Sequence, residues 1–246
     1  MFPQKKEWFY NWFNSPFYHK LYVERDENEA KEFVQNLFYH LNIKEGSKIL
    51  DVACGRGRHA IFMNKLGCEV EGIDYSDNNI NEAKKLENDK LHFHLHDMRK
   101  VFKEESFDYA FNFFTSFGYF ENDSENQDTI NAITKALKQE GILVLDFLNP
   151  YKVIKELESE EVKIIDGTAF KIQKHLEGEN LIKKIEFDFE EKKYCFEEKL
   201  TFLRRIKFLE YFRNANLMPL ETLGDYALSP YDQDSSDRMI FICKKL

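Results

Sequence analysis

The chain carries 44 Asp and Glu against 35 Lys and Arg over 246 residues, a net charge of −9, so it lacks the surplus of cations with which proteins release counterions from a nucleic-acid backbone. That length can hold one large α/β core without staples, and Cys54, Cys68, Cys195 and Cys243 form neither a C-x-x-C pair nor a zinc spacing, which points to a reduced, cytoplasmic setting. The start, MFPQKKEWFYNWF, lacks the continuous apolar core of a secretory leader, and no apolar run reaches bilayer length, so a soluble chain is expected.

Residues 5 to 22 carry an aromatic stripe at near-helical spacing, broken by Ser15-Pro16. From Asp26 to Leu41, Ala30, Phe33, Val34, Leu37 and Leu41 share one face behind an acidic first turn, which predicts a surface helix. The run KILDVACGRGRHA (48–60) then reads as a buried strand, a glycine turn and a helix over His59 to Leu66. Gly55 and Gly57 allow a tight turn that a ligand can approach closely, and Asp51 with this turn reads as a cofactor cradle.

The second strand, CEVEGID, ends in Asp74, with Ser76 as a helix N-cap after it. The third, LHFHLHD, ends in Asp97-Met98 and carries His92, His94 and His96 in alternation; we expect an exposed edge-strand face there and no metal. FDYAFNFFTSFGYF gives a fourth strand with its loop, residues 124 to 138 a helix ending at Gly141, and GILVLDFL a fifth strand. Short alternating runs over 160–203 predict an antiparallel meander, before a helix at 205–215 and two closing strands. Leu148-Asn149-Pro150-Tyr151 is only faintly similar to an N-P-P-Y signature and is set aside, because it lacks one proline and follows strand five instead of strand four.

Gly55-Arg-Gly57-Arg-His-Ala60 also satisfies the G-x-G-x-x-A dinucleotide form, and Asp74 stands at a spacing suited to ribose in either cofactor class. DVACGRG, GIDYS, HDMR and FNFFTSFGYF, in this order, resemble the successive motifs of class I S-adenosylmethionine (SAM)-dependent methyltransferases over residues 18 to 150. FYHKLYVERD and TSFGYF are also similar to amino-deoxysugar N-methyltransferases, though Tyr119 stands where those enzymes carry a histidine.

The resemblance implies a Rossmann-like α/β fold, with a seven-stranded mostly parallel sheet ending in one reversed strand, and SAM as cofactor. It divides the chain into a SAM-binding domain of residues 1–150 and 204–246, whose first 45 residues form a helical lid, and an inserted antiparallel β lobe at 151–203. Tyr18, Tyr22 and Arg25 would belong to the lid; Asp51 and the turn from Ala53 through Gly55 to Gly57 would hold the amino-acid moiety. Asp74 would take the ribose hydroxyls, Tyr75 would pack on the adenine, and Asp97 and Met98 would bind its edge and face. Phe113, Phe114, Thr115 and Phe117 would line the pocket.

Tyr119 would orient the acceptor, since a phenol with a pKa near 10 is a poor base at neutral pH. The acceptor implied is a small-molecule amine or hydroxyl, with no nucleic acid or membrane as partner, acted on by a monomer or homodimer. A SAM-binding regulatory or inactive methyltransferase-fold protein is the alternative; an NAD-dependent dehydrogenase is disfavoured by Asp97-Met98 and the closing hairpin.

Overall fold

The computed structural model describes residues 8–22 and 27–246; Arg25, Asp26 and the first residues of the aromatic stripe lie outside them. Two short helices, α1 (Trp8–Phe13) and α2 (Pro16–Leu21), come first. The break between them has a local cause, since Ser15 Oγ accepts the Phe17 amide and Pro16 opens α2 where no N–H is needed. Then come α3 (Glu27–His40), β1 (Lys48–Val52), α4 (Arg58–Lys65), β2 (Glu69–Asp74), α5 (Asp77–Ala83), β3 (Leu91–Leu95) and β4 (Phe107–Asn112). The chain continues with α6 (Asp123–Ala136) and β5 (Leu137–Leu148), followed by α7 (Pro150–Lys155). A second sheet is formed by β6 (Glu160–Ile165), β7 (Thr168–Glu177), β8 (Asn180–Phe189) and β9 (Lys192–Thr201); α8 (Arg205–Asn214), β10 (Leu217–Leu223) and β11 (Arg238–Lys245) close the chain.

The large sheet has the order β10-β11-β5-β4-β1-β2-β3, parallel except for β11, which runs antiparallel to both β5 and β10. Alternation along β1 sends Leu50 and Val52 into one buried cluster with α6 and α8, and Ile49 into another with α3, α4 and α5. A sheet covered on both faces leaves its strand tips as the accessible polar edge. The strand order reverses between β1 and β4, and a crevice opens there above the carboxyl ends.

The predicted meander is the four-stranded antiparallel sheet β6-β7-β8-β9. Its inner face packs Ile165, Phe170, Ile172, Ile185 and Phe187 against Trp12 and Leu21 of the first two helices. Those helices are six residues each, too short to be stable alone, so their place is set by what they pack on.

Three local expectations are corrected. The helix read over 124–138 ends at Ala136 and the fifth strand begins at Leu137, because Leu137 already pairs with Phe107; a register shift and a left-handed Glu140 (φ +65°) absorb the irregularity before Ile142 pairs with Tyr109. Asn149-Pro150-Tyr151 opens α7, which sequence reading missed: the Asn149 side chain accepts the Tyr151 amide and donates to the Gln233 and Ser236 carbonyls. The three histidines do not share one exposed face, as described below.

Candidate active site

Asp51 points to the α4 side of the sheet by strand alternation. Gly57, the N-cap of α4, has no side chain to offer, and the Asp51 carboxylate accepts the Ala60 amide instead. Its other oxygen, Oδ2, is buried and has no hydrogen-bond partner among the described residues. Burial, with a smaller contribution from the nearby Asp74 charge, pushes this carboxyl up to about 7. Asn112, at the tip of neighbouring β4, donates to the Val52 carbonyl and leaves its own buried Oδ1 similarly unsatisfied.

The glycines of the turn do different work. Gly55 lies at φ +57° with open space where a Cβ would be, and its amide donates to Asp74 Oδ2 at 2.9 Å. Gly57, at φ +81°, faces inward, and a Cβ there would overlap the Phe93 ring; it is a packing glycine of the turn and does not line the cavity. Asp74 Oδ1 also accepts the Ser76 amide at 2.8 Å, so Asp74 braces the turn from the tip of β2. Burial raises its pKa, against the pull of these amides.

A cavity of about 150 Å³ sits over these tips. Ala53, Gly55, Asp74 and Tyr75 form one end, and Asp97 and Met98 form another part of its wall. Burial would raise the Asp97 pKa, but hydrogen bonds and charge from Arg99, whose Nε lies 2.9 Å away, hold it below the usual carboxylate range. The roof is α1 and α2, through Phe9, Tyr10, Phe13, Tyr18 and His19. It is fastened to α5: Tyr10 Oη donates to Asp77 at 2.9 Å, Ser76 Oγ donates to Asn14 at 2.6 Å, and His19 Nε2 is 2.6 Å from Asn79 Oδ1.

A second, more open groove of about 790 Å³ lies between the sheet's carboxyl edge and the lobe. Phe114, Thr115 and Tyr119 line both it and the roofed cavity, so the two meet there. Phe114 and Thr115 are both left-handed (φ +57° each), a strained pair held by a buried network. Asp146, fully buried, accepts the Phe114 amide at 2.8 Å, Arg238 Nε at 2.7 Å and Tyr226 Oη at 3.2 Å, and Arg238 also donates to Thr115 Oγ1 at 2.9 Å.

Several expected positions fall elsewhere. Phe113 and Phe117 are core side chains and line neither opening, whereas the three residues between them, Phe114, Thr115 and Ser116, all line the cavity, the chain being turned there by two left-handed residues. Tyr22 lines the groove, not the roofed cavity, since α2 ends with it turned toward the lobe. Arg25 lies outside the described residues. His19, Asn79, Arg99 and Phe120 line the cavity and went unnoticed in the sequence; the N-cap at Ser76 was the one signal that pointed toward Asn79.

Among the described residues no group of three or more His, Cys, Asp or Glu could hold a metal. His94 sits 3.0 Å from Glu71, His92 is exposed, and His96, beyond the strand, lines the cavity and binds the Lys100 carbonyl through Nε2 at 2.9 Å. Replacing His92 and His94 with Gln is expected to leave cofactor affinity and thermal stability unchanged. Elemental analysis of the purified protein checks the same point, and a stoichiometric metal lost in that variant would overturn it.

The fold, the glycine turn and the roofed cavity can now be set beside known proteins. The methyltransferase-domain family matches residues 49–141. Residues 49–141 are a methyltransferase domain, in the class I fold. A putative methyltransferase of Geobacillus sp. (strain WCH70) is 32% identical over 139 residues, 55% of this chain and 56% of that protein, so the chain spans about half the length of this relative. The glycine/sarcosine N-methyltransferase of Aphanothece halophytica is 24% identical over 233 residues, covering 90% of this chain and 83% of that one.

In fold, the chain is similar to a SAM-dependent methyltransferase from Clostridium acetobutylicum ATCC 824 (TM-score 0.80, 18% identity, 96% of this chain and 98% of that one). It is similar also to the sugar N-methyltransferase KedS8 from Streptoalloteichus sp. ATCC 53650 (TM-score 0.74, 18% identity, 92% and 90%). The residues present are compatible with the cofactor: the open Gly55 turn lines the cavity and leaves room for a ligand against the backbone, and behind it lies the buried, orphaned acceptor Asp51 Oδ2, although Asp51 itself borders neither opening. No helix among the described residues is long and apolar enough to cross a membrane.

Proposed function

We propose that the whole chain is a SAM-dependent methyltransferase acting on a small-molecule amine, in the reduced cytoplasm, where its four free cysteines are stable. The observation that carries this reading is the meeting of the roofed cavity with the larger groove at Phe114, Thr115 and Tyr119. A bound SAM supplies an electrophilic methyl group, and the protein's task is then to align donor and acceptor and exclude water. Asp51, Asp74, Asp97 and Met98 would hold the cofactor. Tyr119, packed edge-on against Phe13 with ring centroids 5.2 Å apart, would orient the acceptor at the junction.

Charge in the groove favours an amine. Its four cations are already committed: Lys152 to Asp237, Lys174 to Glu161, Lys183 to Glu198 and Arg238 to Asp146. Glu29, Glu156, Glu158 and Asp225 also line it and form no ion pair among the described residues. A lining with this balance attracts cationic molecules and repels phosphate-rich ones. Two proteins to which the chain is similar, a glycine/sarcosine N-methyltransferase and a sugar N-methyltransferase, lend the same support.

The test is transfer of radiolabelled methyl from SAM to amine, phenol and carboxylate libraries, beside nucleotide-linked amines, bulk tRNA and DNA. Label is expected in free small amines. Label mainly in nucleic acid or nucleotide-linked compounds would refute the charge argument, and SAM binding with no transfer to any acceptor would favour a regulatory role.

A further inference from the structure

Glu198, on β9 of the lobe, lines the groove. Its carboxylate accepts hydrogen bonds from Trp12 Nε1 of α1 and from Tyr22 Oη at the end of α2, the latter at 2.8 Å. Lys183 of β8 donates to the same Tyr22 oxygen and lies 3.6 Å from Glu198. A phenol has one proton, so the order is fixed: the ammonium donates to Tyr22, and Tyr22 donates to the carboxylate. Lys183 and Glu198 side chains are only 15% and 13% exposed, so solvent screens the pair weakly.

Tyr22, Lys183 and Glu198 all line the groove, and none lines the roofed cavity. Yet Trp12 and Tyr22 belong to the same two short helices whose Phe9, Phe13 and Tyr18 cover that cavity. One side of this roof is fastened to α5, as described above. The other rests on the lobe through Glu198, through Trp12 tilted against Phe196 with centroids 4.5 Å apart, and through Phe17 against Phe187 at 4.7 Å. Lys20 of α2 also donates to Thr168 Oγ1 of β7 at 3.1 Å, away from both openings, whereas the polar link through Glu198 is part of the groove wall.

We propose that Glu198 is a positioning residue for methyl transfer: from the groove side it fastens the helical roof over the cofactor, so that cofactor retention depends on a side chain that does not border the cofactor cavity. This rests on the methyltransferase reading above. Without the carboxylate, the buried Trp12 N–H and the Tyr22 hydroxyl lose their acceptor and Lys183 loses its counter-ion, which favours a roof lifted from the lobe. An open roof exposes the cofactor and speeds its escape, whereas the cradle of Asp51, Gly55 and Asp74 stays intact.

The experiment measures SAM affinity and dissociation rate, with thermal unfolding, for the full chain and for Glu198→Ala, Glu198→Gln and Trp12→Phe. Glu198→Ala and Trp12→Phe should each raise Kd about tenfold, or ~1.4 kcal/mol, chiefly through faster dissociation. The double variant should be little worse than either alone, since both cut one link. Glu198→Gln keeps an acceptor oxygen and should recover part of the loss; Glu197→Ala, on the exposed neighbour, should change nothing. If Glu198→Ala does not fold, Trp12→Phe and Glu198→Gln still decide. Affinities within twofold of the parent in those two, or additive losses in the double variant, would overturn the proposal. Failure of the parent itself to bind SAM would instead refute the methyltransferase reading.

Discussion

Replacing Asp74 by Ala is expected to weaken SAM binding by at least about 100-fold while the protein still folds. A carboxylate that takes hydroxyl groups contributes on the order of 1.5–3 kcal/mol per charged hydrogen bond, so two such bonds exceed the ~2.8 kcal/mol that corresponds to 100-fold. The structure adds a second route to the same loss, because Asp74 accepts the Gly55 and Ser76 amides and so holds the turn in its ligand-ready form. Thermal unfolding should fall by only a few degrees, since removing a buried, desolvated carboxylate offsets part of the cost of two unpaired amides. Calorimetric titration with SAM is the check; an affinity within twofold of the parent would remove Asp74 from the site.

The second large effect should appear in pH dependence and belongs to Asp51. Its carboxyl is raised to about 7 in the folded protein by burial and the charge of Asp74. For a carboxyl raised on folding, the stability it contributes is present at acid pH and is lost as pH climbs from the unfolded value near 4 to about 7. Asp51→Asn should therefore gain in thermal stability relative to the parent as pH rises from 5 to 8. Ligand binding should run the other way. A cofactor ammonium beside Oδ2 favours the ionised carboxyl, so SAM affinity should drop up to about tenfold per unit below pH 7, with proton release on binding. Asp51→Asn should bind more weakly and lose this slope. A parent protein whose affinity is flat from pH 5 to 8 would show that Asp51 does not meet the cation.

Much of the sheet's carboxyl edge was legible because it is encoded locally. A buried strand ending in a glycine turn, acids at the ends of successive strands and an N-cap serine are short-range patterns. A parallel sheet then places consecutive strand tips side by side, so Asp51, Asp74 and Asp97 were readable before any coordinates. The roles within those patterns were less legible. Gly55 and Gly57 look alike in sequence, but only the packing of Phe93 from β3 shows which one faces inward. Phe113 and Phe114 are adjacent, and two successive left-handed residues decide which is core and which is wall.

By itself the sequence determined the class of fold, the meander and the glycine turn after the first strand, since each follows from the periodicity and turn chemistry of contiguous residues. The tertiary structure alone decided what surrounds them. The Asp146–Arg238 pair joins residues 92 positions apart, and Trp12 reaches Glu198 across 186. Such pairings are chosen by where folded elements come to rest, because a buried charge or indole N–H must find a partner, and no local pattern records which partner that is.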